Sequence, residues 1–295
     1  MVRVVAAGHV NWDVTLRVDA LPEPDGEAEI VSQRRSGGGS AANVAVALAG
    51  FDVDTGLVGS VGDDEPGLLA GRELEEAGVD QTGLRVVDGL ETSVKYLVVD
   101  GDGEVMVLGN DGANEAVGPD DVDPAYVEDC EHLHLTSQRP ETAARLAELA
   151  QAGGATVSFD PGRRLRDRDF SAALDRTDVL FVNDNEAEAV LDEDAAYPGS
   201  DFSDRVVVVK HGAEGATVHT PSASYSHPGF DIEPVDTTGA GDAFAAGFVA
   251  VRLDGGDHER ALEFGNACGA LTAQHESARV APTRTEVRSF LDGQF

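Results

Sequence analysis

Between residues 3 and 210 the chain alternates short runs of β-branched and aliphatic residues with longer stretches of helical periodicity, and this alternation constrains it most. The runs fall at Arg3 to Ala7, Thr55 to Val58, His132 to Leu135, Thr156 to Asp160, Val179 to Val182 and Arg205 to Val209. Several are apolar at nearly every position, as a strand is when both its faces are covered. Helical patterns occupy Ser40 to Ala49, Gly67 to Ala77, Pro140 to Ala152 and Asn185 to Leu191. Strands alternating with helices predict a mostly parallel sheet with helices on its faces. Further on, Gly239 to Ala250 and His258 to His275 read as helices built from small residues, and Thr283 to Leu291 as a shorter one.

Four strand-like segments stand outside this alternation. Val14 to Val18 and Glu29 to Gln33 flank the turn LPEPDGEA, and Ser93 to Val99 and Glu104 to Leu108 flank DGDG. Together they predict a small second sheet, drawn from about residues 12–35 and 92–110. No repeat, low-complexity tract or linker divides the sequence, so one domain spanning residues 1–295 is expected, with the second sheet inserted in it.

Charge sets the partners. There are 55 acidic residues against 21 basic ones, a net charge of −34, and the only lysines are Lys95 and Lys210. Self-repulsion on this scale opposes a compact state, but in molar salt the Debye length shrinks to about 3 Å and the repulsion is screened. A salt-filled cytoplasm like that of a halophilic archaeon is therefore expected, with loss of structure on dialysis to low salt. The acids are spread along the chain, which argues against an acidic tail for basic partners. Nucleic acid would meet like charge almost everywhere. The N-terminal run MVRVVAAGHV lacks the features of a signal peptide and no apolar run reaches membrane-span length, so no membrane partner is expected. Two cysteines, Cys130 and Cys268, both in core-like runs, fit a reducing cytoplasm.

The chemistry concentrates in VDTTGAGDAFAAGFVA, Val235 to Ala250. Gly239, Ala240 and Gly241 lead into a helix whose first turn carries Asp242. Successive N–H groups at a helix start make an anion site, and small residues let a phosphate come close. A carboxylate inside that turn is placed to take the proton of a hydroxyl attacking phosphorus. A glycine-rich loop followed by an acid that merely complements the helix dipole is the competing reading.

The run DTTGAGD resembles the second signature of the ribokinase (PfkB) carbohydrate kinase family, and other elements similar to that family follow in order. GHVNWD supplies Asn11 and Asp13; GGGSAANVAVALAGF resembles the first signature, with Gly38, Gly39 and Asn43 at substrate positions. VNDNEAE matches an Asn-x-x-Glu element at Asn183 and Glu186. VKHGAEGA matches the nucleotide loop at Lys210, Gly212 and Gly215, and FGNACGA places Asn266 at the nucleotide site. The resemblance runs from about residue 3 to about residue 290.

It implies a three-layer α/β/α sandwich with a mostly parallel central sheet and a small β-sheet lid, transferring the γ-phosphoryl of ATP to a hydroxyl of a sugar or nucleoside. Asp242 would be the base and Gly239, Ala240 and Gly241 the anion hole. Asn11, Asp13 and Asn43, with their donors and acceptors, would hold a polyol. Asn183 and Glu186 would support Mg²⁺ through water, which suits that ion's reluctance to dehydrate. A monovalent cation such as K⁺ would sit near Asp236 and Thr238, although the stretch His275 to Ala281 does not match that site clearly. A homodimer through the lid is also implied. The acceptor stays open: Gly112-Ala113-Asn114 is ribokinase-like, while Arg163 and Arg164 in DPGRR would suit a sugar phosphate such as ribose 1-phosphate, or would simply balance nearby acids. Ketodeoxygluconate or fructose are further acceptors, and a non-catalytic sugar or nucleotide sensor on the same fold is the reading from another class.

Overall fold

A computed structural model describes residues 2–22, 25–101, 104–191, 205–276, 279 and 281–293. Along the chain the strands are β1 (Val4–Ala7), β2 (Asn11–Val18), β3 (Ile30–Gly38), β4 (Thr55–Gly62), β5 (Asp80–Val87), β6 (Ser93–Val99), β7 (Val105–Gly109), β8 (His132–Leu135), β9 (Thr156–Phe159), β10 (Val179–Asn183), β11 (Val206–Lys210), β12 (Ala216–His219) and β13 (Ser224–His227). The helices are α1 (Ser40–Gly50), α2 (Glu65–Glu76), α3 (Pro124–Glu128), α4 (Pro140–Gly153), α5 (Ser171–Leu174), α6 (Asp184–Leu191), α7 (Ala240–Leu253), α8 (His258–Ala273) and α9 (Arg284–Asp292).

Nine strands form one sheet in the order β13-β12-β11-β10-β9-β8-β1-β4-β5. From β11 to β5 every pairing is parallel, and β12 and β13 close one edge antiparallel. The alternation of side chains along a strand builds two cores. On β1, Val4 and Ala6 pack with residues of α1, α7 and α8, whereas Val5 and Ala7 pack with residues of α4 and α5 on the opposite face. All four are fully buried, which is why this strand reads as an unbroken apolar run.

Small residues decide how α7 and α8 meet. A Cβ on Gly247 would stand 2.7 Å from Cys268 Sγ, so that glycine permits the close approach. Side chains cap several helix starts: Asp64 accepts from Gly67 N at 3.0 Å, Asp257 from Arg260 N at 2.9 Å, and Thr283 with Glu286 forms a reciprocal capping box.

The small sheet has the order β3-β2-β6-β7, with β2 and β6 parallel and the outer pairs antiparallel. Two of its strands are longer than the sequence patterns indicate, while β6 keeps its expected bounds and β7 is shifted by one residue. β2 starts at Asn11 rather than Val14 and β3 runs to Gly38 rather than Gln33, because Asn11, Asp13 and the RRSGG tract look like loop but pair in register, Asn11 with Gly38 and Asp13 with Ser36. The turns LPEPDGEA and DGDG fall partly outside the described residues. The edge strands β5 and β13, and β12 beside β13, escape the apolar-run criterion because their side chains are partly in water. Among the described residues no helix is long and apolar enough to cross a membrane.

Candidate active site

The C-terminal ends of the parallel strands converge with the start of α7, the location where open α/β sheets bind ligands. Gly239 caps α7 in the left-handed region, φ 79°, which a side chain would oppose. Ala240 N donates to Thr237 O at 3.2 Å, so part of the expected amide ring is already engaged. The amides of Gly241 and Asp242 lie in the first helical turn, where no preceding helical carbonyl reaches them.

Asp242 Oδ2 accepts from Asn43 Nδ2 at 2.8 Å. Burial pushes its carboxyl up to about 6 and nearby Asp160 adds to this, against the hydrogen bonds of Asn43 and Ser40 and the charge of Lys210. A carboxylate with that value is ionised at neutral pH yet takes up a proton more readily than an exposed one.

Beside it lies a cluster from the small sheet. Asn11 and Asp13, two apart on β2, present side chains to the same face. Asn11 Oδ1 accepts from Asn114 Nδ2 at 2.7 Å, while its buried Nδ2 has no hydrogen-bond partner among the described residues. Asp13 Oδ1 is likewise buried without one, and burial raises the Asp13 carboxyl against the charges of Lys95 and Arg279. Two unsatisfied buried polar groups facing one place are what a polyol would satisfy. Gly38 belongs to this cluster for steric reasons: a Cβ there would lie 2.1 Å from Asp13 Oδ2. Gly39, φ 93°, sets α1 against the backbone of His9.

On the other side of Asp242 a cleft of about 470 Å³ is lined by Lys210, Gly212, Gly215, Gly241, Phe244 and Asn266 among others. Lys210 ends β11 and pairs with Asp160 Oδ2 at 2.5 Å, largely removed from water, so a solvated strand-end lysine is not what the chain builds. Gly215, φ 87°, lets the turn pass His227, whose carbonyl would stand 2.0 Å from a Cβ. Asn266 donates to Leu262 O at 2.9 Å from within α8.

Asn183 and Glu186 cap α6 reciprocally: Asn183 N donates to Glu186 Oε2 at 3.0 Å and Glu186 N to Asn183 Oδ1 at 2.9 Å. The helix-opening role is thus what these two bonds show; Glu186 keeps a second oxygen outside the cap, and its carboxyl is raised by burial and by the neighbouring Asp160. Asp236 Oδ1 accepts from Thr238 N at 2.8 Å, a local turn. The stretch His275 to Ala281, where the rest of a cation site would lie, is only partly within the described residues. Arg163 is exposed, whereas Arg164 bonds Glu115 and Asp111 at 2.8 and 3.0 Å.

Residues 1–285 match the model of the pfkB family carbohydrate kinases. The chain belongs to that family. It is a kinase, an ATP-dependent phosphotransferase with an alcohol as acceptor. It is 65% identical, over the full length of both chains, to the ATP-dependent ribose-1-phosphate kinase of Halopiger xanaduensis. It is 27% identical to a nucleoside kinase of Methanothermobacter thermautotrophicus over 94% of this chain and 91% of the other. Among solved structures it resembles ribokinase of Thermotoga maritima, with a TM-score of 0.87 and 25% identity, covering 99% of this chain and 100% of that one. A ribokinase of Arabidopsis thaliana complexed with ribose and ATP gives a TM-score of 0.85 at 25% identity, covering 99% of each chain.

The candidate site also brings together residues that the sequence patterns did not single out. Arg279 Nε donates to Asn43 Oδ1 at 3.1 Å and Nη2 to Gly38 O at 3.1 Å, and burial lowers its guanidinium to about 10. Asp160 and Ser40 also enter through partners distant in sequence, and Asn114, read in the sequence as part of a ribokinase-like run, enters through Asn11. For Arg279 no local signal existed; Asp160 sits at the end of a predicted strand, which is the one cue that pointed to it.

Proposed function

We propose that this kinase transfers the γ-phosphoryl group of ATP to ribose 1-phosphate. The observation that carries the reading is the 65% identity, over the whole of both chains, with a ribose-1-phosphate kinase. Asp13 accepts from neighbouring secondary hydroxyls and leaves the primary hydroxyl to Asp242. That oxygen attacks the γ-phosphorus, its proton passes to Asp242, the bond between γ-phosphorus and the bridging oxygen breaks, and ADP leaves. The amides of Gly239, Gly241 and Asp242 and the ammonium of Lys210 take up charge on the migrating group.

The nucleotide lies in the cleft along Lys210, Gly212, Gly215 and Asn266. Magnesium, when bound with ATP, neutralises phosphate charge. Glu186 fits it: a buried carboxylate near Asp160, with one oxygen outside the helix cap, suits an ion held through water. Asp236 and Thr238 form the described part of a K⁺ site. Replacing potassium by a large organic cation at constant ionic strength lowers activity if that site operates.

The small sheet acts as the lid. Closure over the sugar excludes water as a competing acceptor. Val105 and Val107, 55% and 58% exposed, leave an apolar patch on it that a second copy covers, giving a homodimer. Cys130 and Cys268 are both free and buried, in keeping with a cytoplasmic enzyme.

A coupled ADP-release assay in molar potassium chloride tests the acceptor, comparing ribose 1-phosphate, ribose, nucleosides, fructose and ketodeoxygluconate. Ribose 1-phosphate is expected to give the highest kcat/KM. A nucleoside or free sugar turned over faster overturns the reading.

A further inference from the structure

Three basic side chains converge on a single carboxylate, Glu115, next in sequence to the Asn114 that bonds Asn11. Glu115 Oε1 lies 2.8 Å from Arg164 Nη1, 2.9 Å from Arg168 Nη1 and 3.0 Å from His9 Nε2, and Glu115 Oε2 lies 3.0 Å from Arg168 Nη1. Glu115 is only 11% exposed, and its backbone is held in the left-handed region at φ 65°, costly for a residue with a side chain. Arg168 is further oriented by donating to Gln138 O at 3.0 Å. Burial alone would raise the Glu115 carboxyl, but the hydrogen bonds of His9 and Arg168 and the charge of Arg164 hold it at about 2, so it stays ionised.

This cluster adjoins the sugar-facing residues directly. Asn114, next to Glu115, donates to Asn11 Oδ1 at 2.7 Å and accepts from Val10 N at 3.2 Å. From Asp242 a chain of contacts leads to Asn43, through Arg279 to Gly38, to Asp13 and along β2 to Asn11, whose buried Nδ2 has no partner among the described residues, and then to Asn114 and the cations. A sugar with its reacting hydroxyl at Asp242 therefore directs the substituent at its opposite end toward Arg164 and Arg168.

We propose that Arg164, with Arg168 and His9 held in place by Glu115, binds the phosphate of a sugar 1-phosphate acceptor, an inference that rests on the ribose 1-phosphate reading. Two of the five N–H groups of Arg164 are engaged among the described residues, one of them on Asp111, a side chain 83% exposed. A phosphate carrying about −1.5 to −2 charges displaces that solvated carboxylate and takes up the planar guanidinium fork. A neutral base in the same place would leave the cations without that partner, so the cluster also selects against nucleosides.

The test compares wild type with Arg164→Gln and Arg164→Lys in molar potassium chloride, measuring KM for ribose 1-phosphate and for ATP, kcat/KM for unphosphorylated ribose, inhibition by inorganic phosphate, and melting temperature. Removing a charge-assisted hydrogen bond is expected to raise KM for ribose 1-phosphate about 10- to 100-fold in Arg164→Gln, with KM for ATP within about twofold of wild type. Arg164→Lys is expected to fall between the two, and inorganic phosphate to compete with ribose 1-phosphate in wild type but far less in Arg164→Gln. If Arg164→Gln melts early, Arg164→Lys is judged by the same rise in KM. If wild type accepts ribose 1-phosphate and the variants change its KM no more than that for ribose, the subsite is refuted while the acceptor stands. If wild type turns over ribose but not ribose 1-phosphate, the acceptor fails and the subsite with it.

Discussion

Among the described residues the nine-stranded sheet and the small four-stranded sheet, the proposed lid, are stabilised in opposite ways. Strands β1, β4 and β8 are buried at every position, between helices on both faces. Strand β7 is exposed at every position, and the lid is buried mainly at its root, where Asn11, Trp12 and Val14 meet the body of the molecule. The difference teaches where rigidity is needed. Asp242 and the start of α7 are fixed by the core, so the transfer geometry is built before substrate arrives. The proposed sugar contacts, Asn11 and Asp13 on β2, belong to a sheet with little holding its distal half, which suits an element that closes.

The sharpest way to break this comparison is to substitute one carboxylate on each side. Asp242→Asn is expected to lower kcat by about 10²- to 10⁴-fold, while Asp13→Asn acts mainly on KM for the sugar; steady-state kinetics separate the two, and a wild-type kcat in Asp242→Asn refutes the assignment of the base. Packing gives the next largest contrast. Leu133→Ala, in a fully buried strand, is expected to cost about 2–5 kcal/mol in denaturant melts, and Val107→Ala on the lid less than about 0.5 kcal/mol.

A third effect concerns pH. Because the folded state holds the Asp242 proton up to about pH 6 and the unfolded chain releases it near its ordinary 3.8, folding stability falls as pH rises between those values and stays lower above them. Asp242→Asn is therefore expected to melt higher than wild type at pH 7.5, by at most about 3 kcal/mol, with the gap closing toward pH 4. Activity has the opposite limb, rising through about pH 6 as the base ionises. A variant no more stable than wild type would mean that the site carries no such cost. The smallest effect on folding and the clearest on assembly is Val107→Glu, expected to leave the melting curve near wild type while shifting sedimentation from dimer toward monomer.

Much of the core was legible because burial on both faces leaves its mark in composition. His132 to Leu135 was delimited to the residue, and α1, α4 and α7 within a few. The edge strands β5 and β13, with β12 beside the latter, carried no such mark, since strands partly in water tolerate polar residues. In the candidate site, Asp242 was named from its place at a glycine-rich helix start and Asn11, Asp13, Gly38 and Asn43 from the family resemblance, and these residues lie together in the fold. Arg279 was not, because a lone arginine in an irregular segment looks like any surface charge until the chain folds it against Asn43 and Gly38.

The two lysines join these themes. In a chain that excludes lysine almost entirely, Lys210 pairs with Asp160 near the start of α7, and Lys95 stands opposite Asp13 in the lid register. By itself the sequence determined the alternation of buried strands and helices, the glycine-rich entry to α7 and the salt-dependent charge, since each follows from interactions among neighbours along the chain or from composition alone. Only the tertiary structure decided which charges meet. The convergence of His9, Arg164 and Arg168 on Glu115, and of Asn43 on Asp242, joins residues about 50 to 200 positions apart, and the chain must fold before their electrostatics exist.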